Sequence, residues 1–533
     1  MEIQTRHIKC VLLLLFFQIS VLIGQNVPIN LKHPVNDFIL RYHSIGIVKT
    51  IHPGLRPFSI NQVMTALDEI SNAELSKNEL ELLLYFKKEF DFKNLNNGIK
   101  GPWQSNQLKT VLIGSFSAYD QKHKEIRFLS YRDEELTLWA DWEELFSIEV
   151  QDTIQRLFYN DRVTISGQIN NNLSFFSRYS LYRVEHKDSY PIPKEFKQGY
   201  LLLEENTDWL IWDVSEASIK WTNSIMNVEL SKLPIYWGFS RRHSPIFSEN
   251  IQPFSFLRLS KNYKRFRTES VMGSLIPNGD QPLVQKHLAA HRFELDLLST
   301  ITISFNEMVI YARRNLELGY LLPVNLFWSE EHSLGNHDNV LMSFDALWNV
   351  KPGLSVYGTF FWDELSWFKL FSSWWANKFI FQSGLHWVPF PNPKLPDFRI
   401  EFSVSRPWVY THEDSLLTYT SAGHGIGFPV GPNSKLLYIE MNFWPTYKTS
   451  LSLNISYLAQ GSGMGSDPND NYGLRDKSLD DSTPWLLGDV KENVIIGSEY
   501  YYRVTELFYI SGNVAYNTSE KILEGKLGLL MNY

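Results

Sequence analysis

Residues 526–533, Lys-Leu-Gly-Leu-Leu-Met-Asn-Tyr, most narrow the folds open to this chain. In an extended strand Leu527, Leu529, Met531 and Tyr533 share one face, while Lys526, Gly528 and Asn532 share the other. Such a strand needs an apolar medium on one side and tolerates water on the other. No run of roughly 18 apolar residues follows residue 24, so membrane-spanning helices are excluded. Yet 17 Trp, 26 Tyr and 35 Phe bring the aromatic share to 15%. Aromatics at that density, without helical spans, suit strands that cross a bilayer between two interfacial girdles. The competing class is a secreted multi-domain β protein, in which 526–533 is an ordinary closing strand.

The N-terminus predicts export. Arg6 and Lys9 precede an apolar core from Cys10 to Ile23, broken only by Gln18 and Ser20. That core is too short to span a bilayer, so residues 1–24 read as a cleaved secretory peptide, with Gln25 the new N-terminus. Leu22 is a poor residue for the −3 place. Cys10, the only cysteine, precedes the core and suits neither a lipid anchor nor a disulfide. In an exported chain, Lys526, Gly528, Met531 and Tyr533 fit the C-terminal signal of outer-membrane barrels: polar, glycine, apolar, terminal aromatic. The barrel assembly machinery is the expected reader of that signal, and outer-membrane lipid the expected surroundings. A formal charge of −8 argues against nucleic acid.

Between these ends the pattern changes once. Residues 25–98 predict a periplasmic helical head. Val35, Phe38, Ile39 and Tyr42 recur at helical spacing after Pro34, and Gly46 is a stop. Ser59-Ile60-Asn61-Gln62 and Ser76-Lys77-Asn78-Glu79 are capping boxes. The first opens a helix with Val63, Ala66, Leu67 and Ile70 on one face. The second opens a helix with Leu80, Leu83, Leu84 and Lys87 along one side. Residues 99–533 predict a transmembrane antiparallel β-barrel, mainly β, of about 18 strands, with 16 or 14 also compatible with the spacing. Leu437, Ile439, Met441 and Phe443 alternate with Tyr438, Glu440, Asn442 and Trp444. After the turn Pro445–Lys448, Leu451, Leu453, Ile455 and Tyr457 alternate with Ser452, Asn454 and Ser456. Leu173, Phe175, Tyr179 and Leu181 give a looser example. Glu307 interrupts the face shared by Ile301, Ile303, Phe305, Val309 and Tyr311, so a bulge or a lumen-facing shift is expected there.

The middle of the chain resembles a known family. Trp237-Gly238-Phe239, then Ser248-Glu249-Asn250-Ile251-Gln252-Pro253-Phe254, looks like a segment of the capsule assembly Wzi family. His291-Arg292-Phe293, Glu307 through Tyr311, Tyr320-Leu321-Leu322-Pro323 and Asp338-Asn339 continue the likeness. So do Tyr410-Thr411-His412, Tyr419-Thr420, Gly431-Pro432-Asn433 and, in the head, Pro34, Gly46 and Arg56-Pro57-Phe58-Ser59. Trp362-Asp363-Glu364 departs from the paired aspartates of related sequences. The resemblance implies an outer-membrane barrel of about 18 strands with a periplasmic helical bundle. It also implies a lectin-like role in holding capsular or surface polysaccharide, and that glycan partner rests on the resemblance alone.

Within that frame Trp237, Arg241, Arg242 and His243 are the candidate polysaccharide contacts. Arginine offers paired donors to glycan carboxylates and Trp237 a stacking face. The alternative is a loop folded into the lumen with its arginines paired to wall acids. Glu330, Glu331, His332, His337 and Asp338 match no helix-borne zinc spacing and read as a polar loop. Asp467 to Asn471 has Tyr472 where a calcium loop needs glycine. No metal or other cofactor is expected. Trp362, Trp367, Trp374, Trp375 and Trp387 read mainly as girdle residues, with sugar stacking the alternative. No nucleophile elbow, phosphate loop or cysteine nucleophile marks an enzyme, and Asp363 and Glu364 point to opposite faces of a strand. A porin or solute channel remains the first rival and a barrel hydrolase the second. The stretches 184–199, 239–253 and 461–485 are long enough to plug a lumen.

Overall fold

The computed structural model describes residues 26–90, 98–100 and 128–532, apart from 171, 188–189, 191, 194, 197–199, 206–207, 250, 279–283, 371 and 506–507. The predicted signal peptide and Tyr533 lie outside the described residues. Eighteen antiparallel strands close into a barrel. In chain order the first six are β1 (Leu136–Gln151), β2 (Ile154–Ile169), β3 (Leu173–Glu185), β4 (Trp209–Trp221), β5 (Asn227–Leu233) and β6 (Phe254–Tyr263). The next six are β7 (Phe266–Leu275), β8 (Lys286–Asp296), β9 (Ile301–Ala312), β10 (Asn339–Lys351), β11 (Leu354–Glu364) and β12 (Lys378–Trp387). The last six are β13 (Asp397–Ser405), β14 (Ser434–Thr446), β15 (Thr449–Gly461), β16 (Val490–Arg503), β17 (Phe508–Asn517) and β18 (Ile522–Asn532). Among the described residues the first full-length wall strand is Leu136–Gln151. The short strand Leu129–Arg132 extends the seam, pairing with β1 and with Gly98–Lys100.

Closure joins β18 to β1 from Glu524↔Gln151 to Asn532↔Glu143. The predicted alternation holds in this closing strand. Leu527 and Leu529 are exposed on the outside, while Lys526 turns inward to Glu149 at 2.7 Å and Glu195 at 2.9 Å. Gly528 leaves room where Leu145 and Ser511 approach, and Met531 pairs with Glu144 and Phe508. In β14 and β15, Leu437, Leu453, Ile455 and Tyr457 face out and Glu440, Asn442 and Ser452 are buried inside. An apolar exterior and a polar, ion-paired interior are what a bilayer-spanning barrel requires. One end of the barrel has short connections, such as 352–353 and 447–448. The other carries the long ones: 186–208, 234–253, 313–338, 365–377, 406–433 and 462–489.

Among the described residues three helices form the head: α1 (Pro34–Ile45), α2 (Ile60–Ser71) and α3 (Lys77–Phe90). Pro34 starts α1 and Gly46, at φ +90°, ends it in the left-handed conformation glycine favours. Ser59 and Gln62 complete the predicted capping box of α2. In α3 the buried stripe is Glu79, Leu82, Leu83, Phe86 and Phe90, whereas Leu80 and Leu84 are exposed. That corrects the expected face. The Tyr42 hydroxyl donates to Glu79 at 2.6 Å, and this bond with the bulk of Phe86 and Phe90 sets the helix's rotation.

The head docks on the short-turn end. Arg41 is fully buried, 3.0 Å from Asp397, and donates to the carbonyls of Phe390, Asn392 and Leu395 in one turn. Phe38 meets Trp444 edge-on at 6.1 Å, and Gly353 N donates to Ser44 O. One apolar cluster runs from Val35 and Phe38 through Trp237 and Phe247 to Tyr410 and Phe428, so the head and the lumen share a core.

The expected bulge or shift at Glu307 does not occur. Pairing through residue 307 is unbroken on both sides, and Glu307 keeps its outward place. It is nevertheless buried, because the 313–338 connection folds down over the outer wall. Its carboxylate meets His291 at 2.8 Å and accepts from the amide of Phe327 at 3.1 Å.

Candidate functional site: a plugged lumen and an aromatic rim

The 234–253 connection turns into the lumen instead of away from it. Tyr236 and Trp237 pair as a two-residue strand with Arg56 and Leu55 of the head. Gly238 makes this possible: at φ +125° it adopts a backbone that side-chain-bearing residues avoid. The Arg56 guanidinium lies 3.7 Å from the Tyr236 ring and donates to the Ser240 carbonyl at 2.6 Å. Trp237 is wholly buried and its indole donates to Glu269 at 2.9 Å.

Each predicted cation here has internal partners. Arg241 clamps Asp37 of the head with bonds of 2.7 and 3.1 Å and reaches Glu249 at 3.2 Å. Burial works against the charge on Asp37 and Glu249, but the Arg241 guanidinium, joined at Asp37 by Arg399, holds both carboxyls below their ordinary values. Arg242 bridges Glu440 at 3.1 Å and Glu499 at 2.9 and 3.0 Å. The His243 ring contacts Glu401 at 2.9 Å, and Glu401 also accepts from the Arg241 amide and the Tyr357 hydroxyl. This is the arrangement weighed against glycan contact: a loop folded inward with its cations paired to acids. With Trp237 at zero exposure, no ring face is open to a sugar.

Two further connections pack into the lumen. From 406–433, Tyr410 donates to Pro245 O at 2.6 Å and Tyr419 to Ile246 O at 2.8 Å. From 186–208, Phe196 packs edge-on against Trp212 at 5.2 Å, while Glu195 meets Lys526. Among the described residues, two spaces of about 260 Å³ each open into the lumen. One is lined by Arg162, Arg178 and Glu216, the other by Arg156, Glu499 and Lys526.

The tryptophan group separates by place. Trp362 and Trp387 lie on the outer wall, beside Phe344 and Phe398 respectively, as girdle residues do. Trp374 and Trp375 instead stand at the long-loop end, half-exposed, with ring centroids 6.2 Å apart. Tyr472 joins them, 5.4 Å from Trp375. Cations interleave: Lys369 over Trp374, Arg475 over Trp375 at 3.6 Å, and Lys378 over Tyr472 at 4.0 Å. The 365–377 and 462–489 connections are stitched here by Trp375 N to Asp480 O, Thr483 N to Ser373 O and Lys369 to Asp481 at 2.8 Å, while Arg475 pairs with Asp480 within its own connection. Tyr472 and Arg475 had no signal in the sequence, because 462–489 reads as an acidic loop.

Among the described residues no group of three or more His, Cys, Asp or Glu is placed to hold a metal ion. Glu330 bonds Asn325, Asp338 is taken by Arg314 and Tyr320, and His332 packs against Trp328. Asp467 and Asp470 turn back on the loop's own amides.

No family model and no curated protein matches the chain in sequence. In structure it is similar to Wzi, an outer-membrane protein involved in group 1 capsule assembly in Escherichia coli and a carbohydrate-binding β-barrel. Identity is 12% and the TM-score 0.59, over 95% of this chain and 99% of that one. The Pseudomonas aeruginosa proteins OpdK, solved with vanillate, and OprD, an outer-membrane protein, also align. They do so at TM-scores of 0.43 and 0.41 with 7% and 8% identity, over 74% of this chain and 98% and 93% of theirs. The likeness to Wzi is one of fold, and it is the fold the family resemblance implied.

Proposed function

We propose that this is an outer-membrane barrel that holds exported surface or capsular polysaccharide at the cell surface through its long-loop end. The head then stands in the periplasm, residues 1–24 direct export, and Lys526, Gly528, Met531 and Tyr533 present the closing strand to the barrel assembly machinery. The observation that carries the reading is the filled lumen. Head, 186–208, 234–253 and 406–433 interlock across it, so a long polymer meets the rim and not a pore. Structural likeness to a carbohydrate-binding barrel supports the ligand class. At the rim, Trp374, Trp375 and Tyr472 are the rings on which sugars would stack, with Lys369 and Arg475 held beside them by Asp481 and Asp480. Trp237, Arg241, Arg242 and His243 take the role of locking the plug.

Cells lacking the protein should shed polysaccharide that wild-type cells keep. Restoring it as a W374A/W375A double variant should leave barrel levels unchanged while binding of purified polysaccharide weakens about tenfold, about 1.4 kcal/mol. An unchanged cell-bound fraction in the deletion strain would remove the capsule role and leave a channel or a hydrolase as the reading to pursue.

A further inference from the structure

We propose that residues 316–328 form a clasp on the outer wall whose exposed face contacts the acyl chains of outer-leaflet lipid. The inference rests on the membrane-barrel reading. It begins from an oddity of the 313–338 connection: it carries apolar residues on both of its sides. On the inner side Tyr320 and Phe327 are buried against Met272, Ala289, Val309 and Tyr311. Register puts those four wall residues in one row or one strand with outward-facing neighbours, so the connection lies outside the barrel. On the other side Leu318 is 73% exposed, Val324 80%, and Leu322, Leu326 and Trp328 more than half.

The clasp thus covers part of the wall's apolar exterior and offers an apolar exterior of its own. Below it on the same outer face Phe305 lies against Phe344, ring centroids 5.0 Å apart, and Phe344 is itself exposed. A scattered exposed leucine needs no explanation, but five exposed large apolar residues between 318 and 328, on the barrel's apolar outer face, do. Depth agrees. Glu307, beneath the start of the short helix Phe327–Ser333, shares a cross-strand row with Met342 and the girdle residue Trp362. That row lies toward the long-loop end, at the interface and not mid-membrane. An irregular segment is tolerated in lipid only if its backbone groups have partners. Here the Glu307 carboxylate takes the amides of Phe327 and Trp328, and Asn325 bonds the Gly319 carbonyl. The outward carboxylate that broke the apolar pattern of β9 is what anchors the clasp.

The test uses nitroxide labels on the full chain carrying C10S, reconstituted in phosphatidylethanolamine–phosphatidylglycerol vesicles. Labels go at L318C and L326C in the clasp, at F344C on the open wall, and at L474C, exposed in the 462–489 connection. Collisions with apolar oxygen and with a water-soluble nickel chelate are compared. Clasp labels should behave as F344C does, favouring oxygen, with L474C favouring nickel. Nickel-dominated collisions at both clasp sites, with F344C still in lipid, would overturn the clasp alone. Loss of access to both reagents would assign a protein partner to this face and overturn it too. Nickel-dominated collisions at F344C would sink the membrane-barrel reading itself.

Discussion

Arg241 shows how little a local sequence says about a buried charge. Its position after Trp237-Gly238 marks it as notable, but its partners are Asp37, 204 positions away, and Glu249 in its own loop. Losing one cation from a buried carboxylate is costly even though Arg399 stays 3.4 Å from Asp37, so Arg241→Ala should destabilise the docked head by up to about 3 kcal/mol. Denaturant titration of the purified barrel, with protease cleavage of the head as readout, checks this. Acid should do part of the same. The Asp37 and Glu249 carboxyls are held below their ordinary values, so their stabilisation is complete above about pH 4 and is lost as pH falls through the depressed values. Head cleavage should therefore rise below about pH 4. Asp37→Asn should start from a looser state at neutral pH and show a smaller acid step.

Among elements, those legible in the sequence share one property: their signals are local. Ser59 and Gln62 sit three residues apart and cap α2 whatever surrounds them. Alternation in β14 and β15 follows from a period of two facing two media. Where a third body intervenes, the reading slips. In α3 the Tyr42–Glu79 bond and two phenylalanines turned the buried face away from Leu80 and Leu84. In β9, Glu307 looked like a register fault, and it is instead an outward acid covered by a returning loop. The interlock of connections gives a prediction at this scale. A side chain at Gly427 would collide with the Pro245 carbonyl and the Tyr410 hydroxyl. Gly427→Ala should loosen the outer plug at a cost of about 1–3 kcal/mol, typical of overpacking. Faster amide exchange in 240–250 and 406–428, with the wall strands unchanged, is the expected signature.

For the whole molecule the decisive feature is that the chain's own connections occupy much of the lumen. In planar bilayers the intact protein should pass little current, and deletion of 240–249 should produce a clear rise in single-channel conductance. Equal conductance in both would show that the plug does not seal, and would put the solute-channel reading first. The sequence by itself determined the class of this protein. Aromatic-rich strands with alternating faces, no helical spans and a closing strand of the 526–532 type leave few stable arrangements, because a strand's face pattern is set by its own residues. The head's helices were legible for the same reason, through caps and periodicity within a dozen positions. Tertiary structure alone decided that the lumen is filled, that Arg241, Arg242 and His243 face inward, and that Trp374, Trp375 and Tyr472 meet at the rim. It also laid 313–338 against the outer wall. Those outcomes depend on charges and rings brought together from up to 331 positions apart, and only the closed barrel fixes which of them become neighbours.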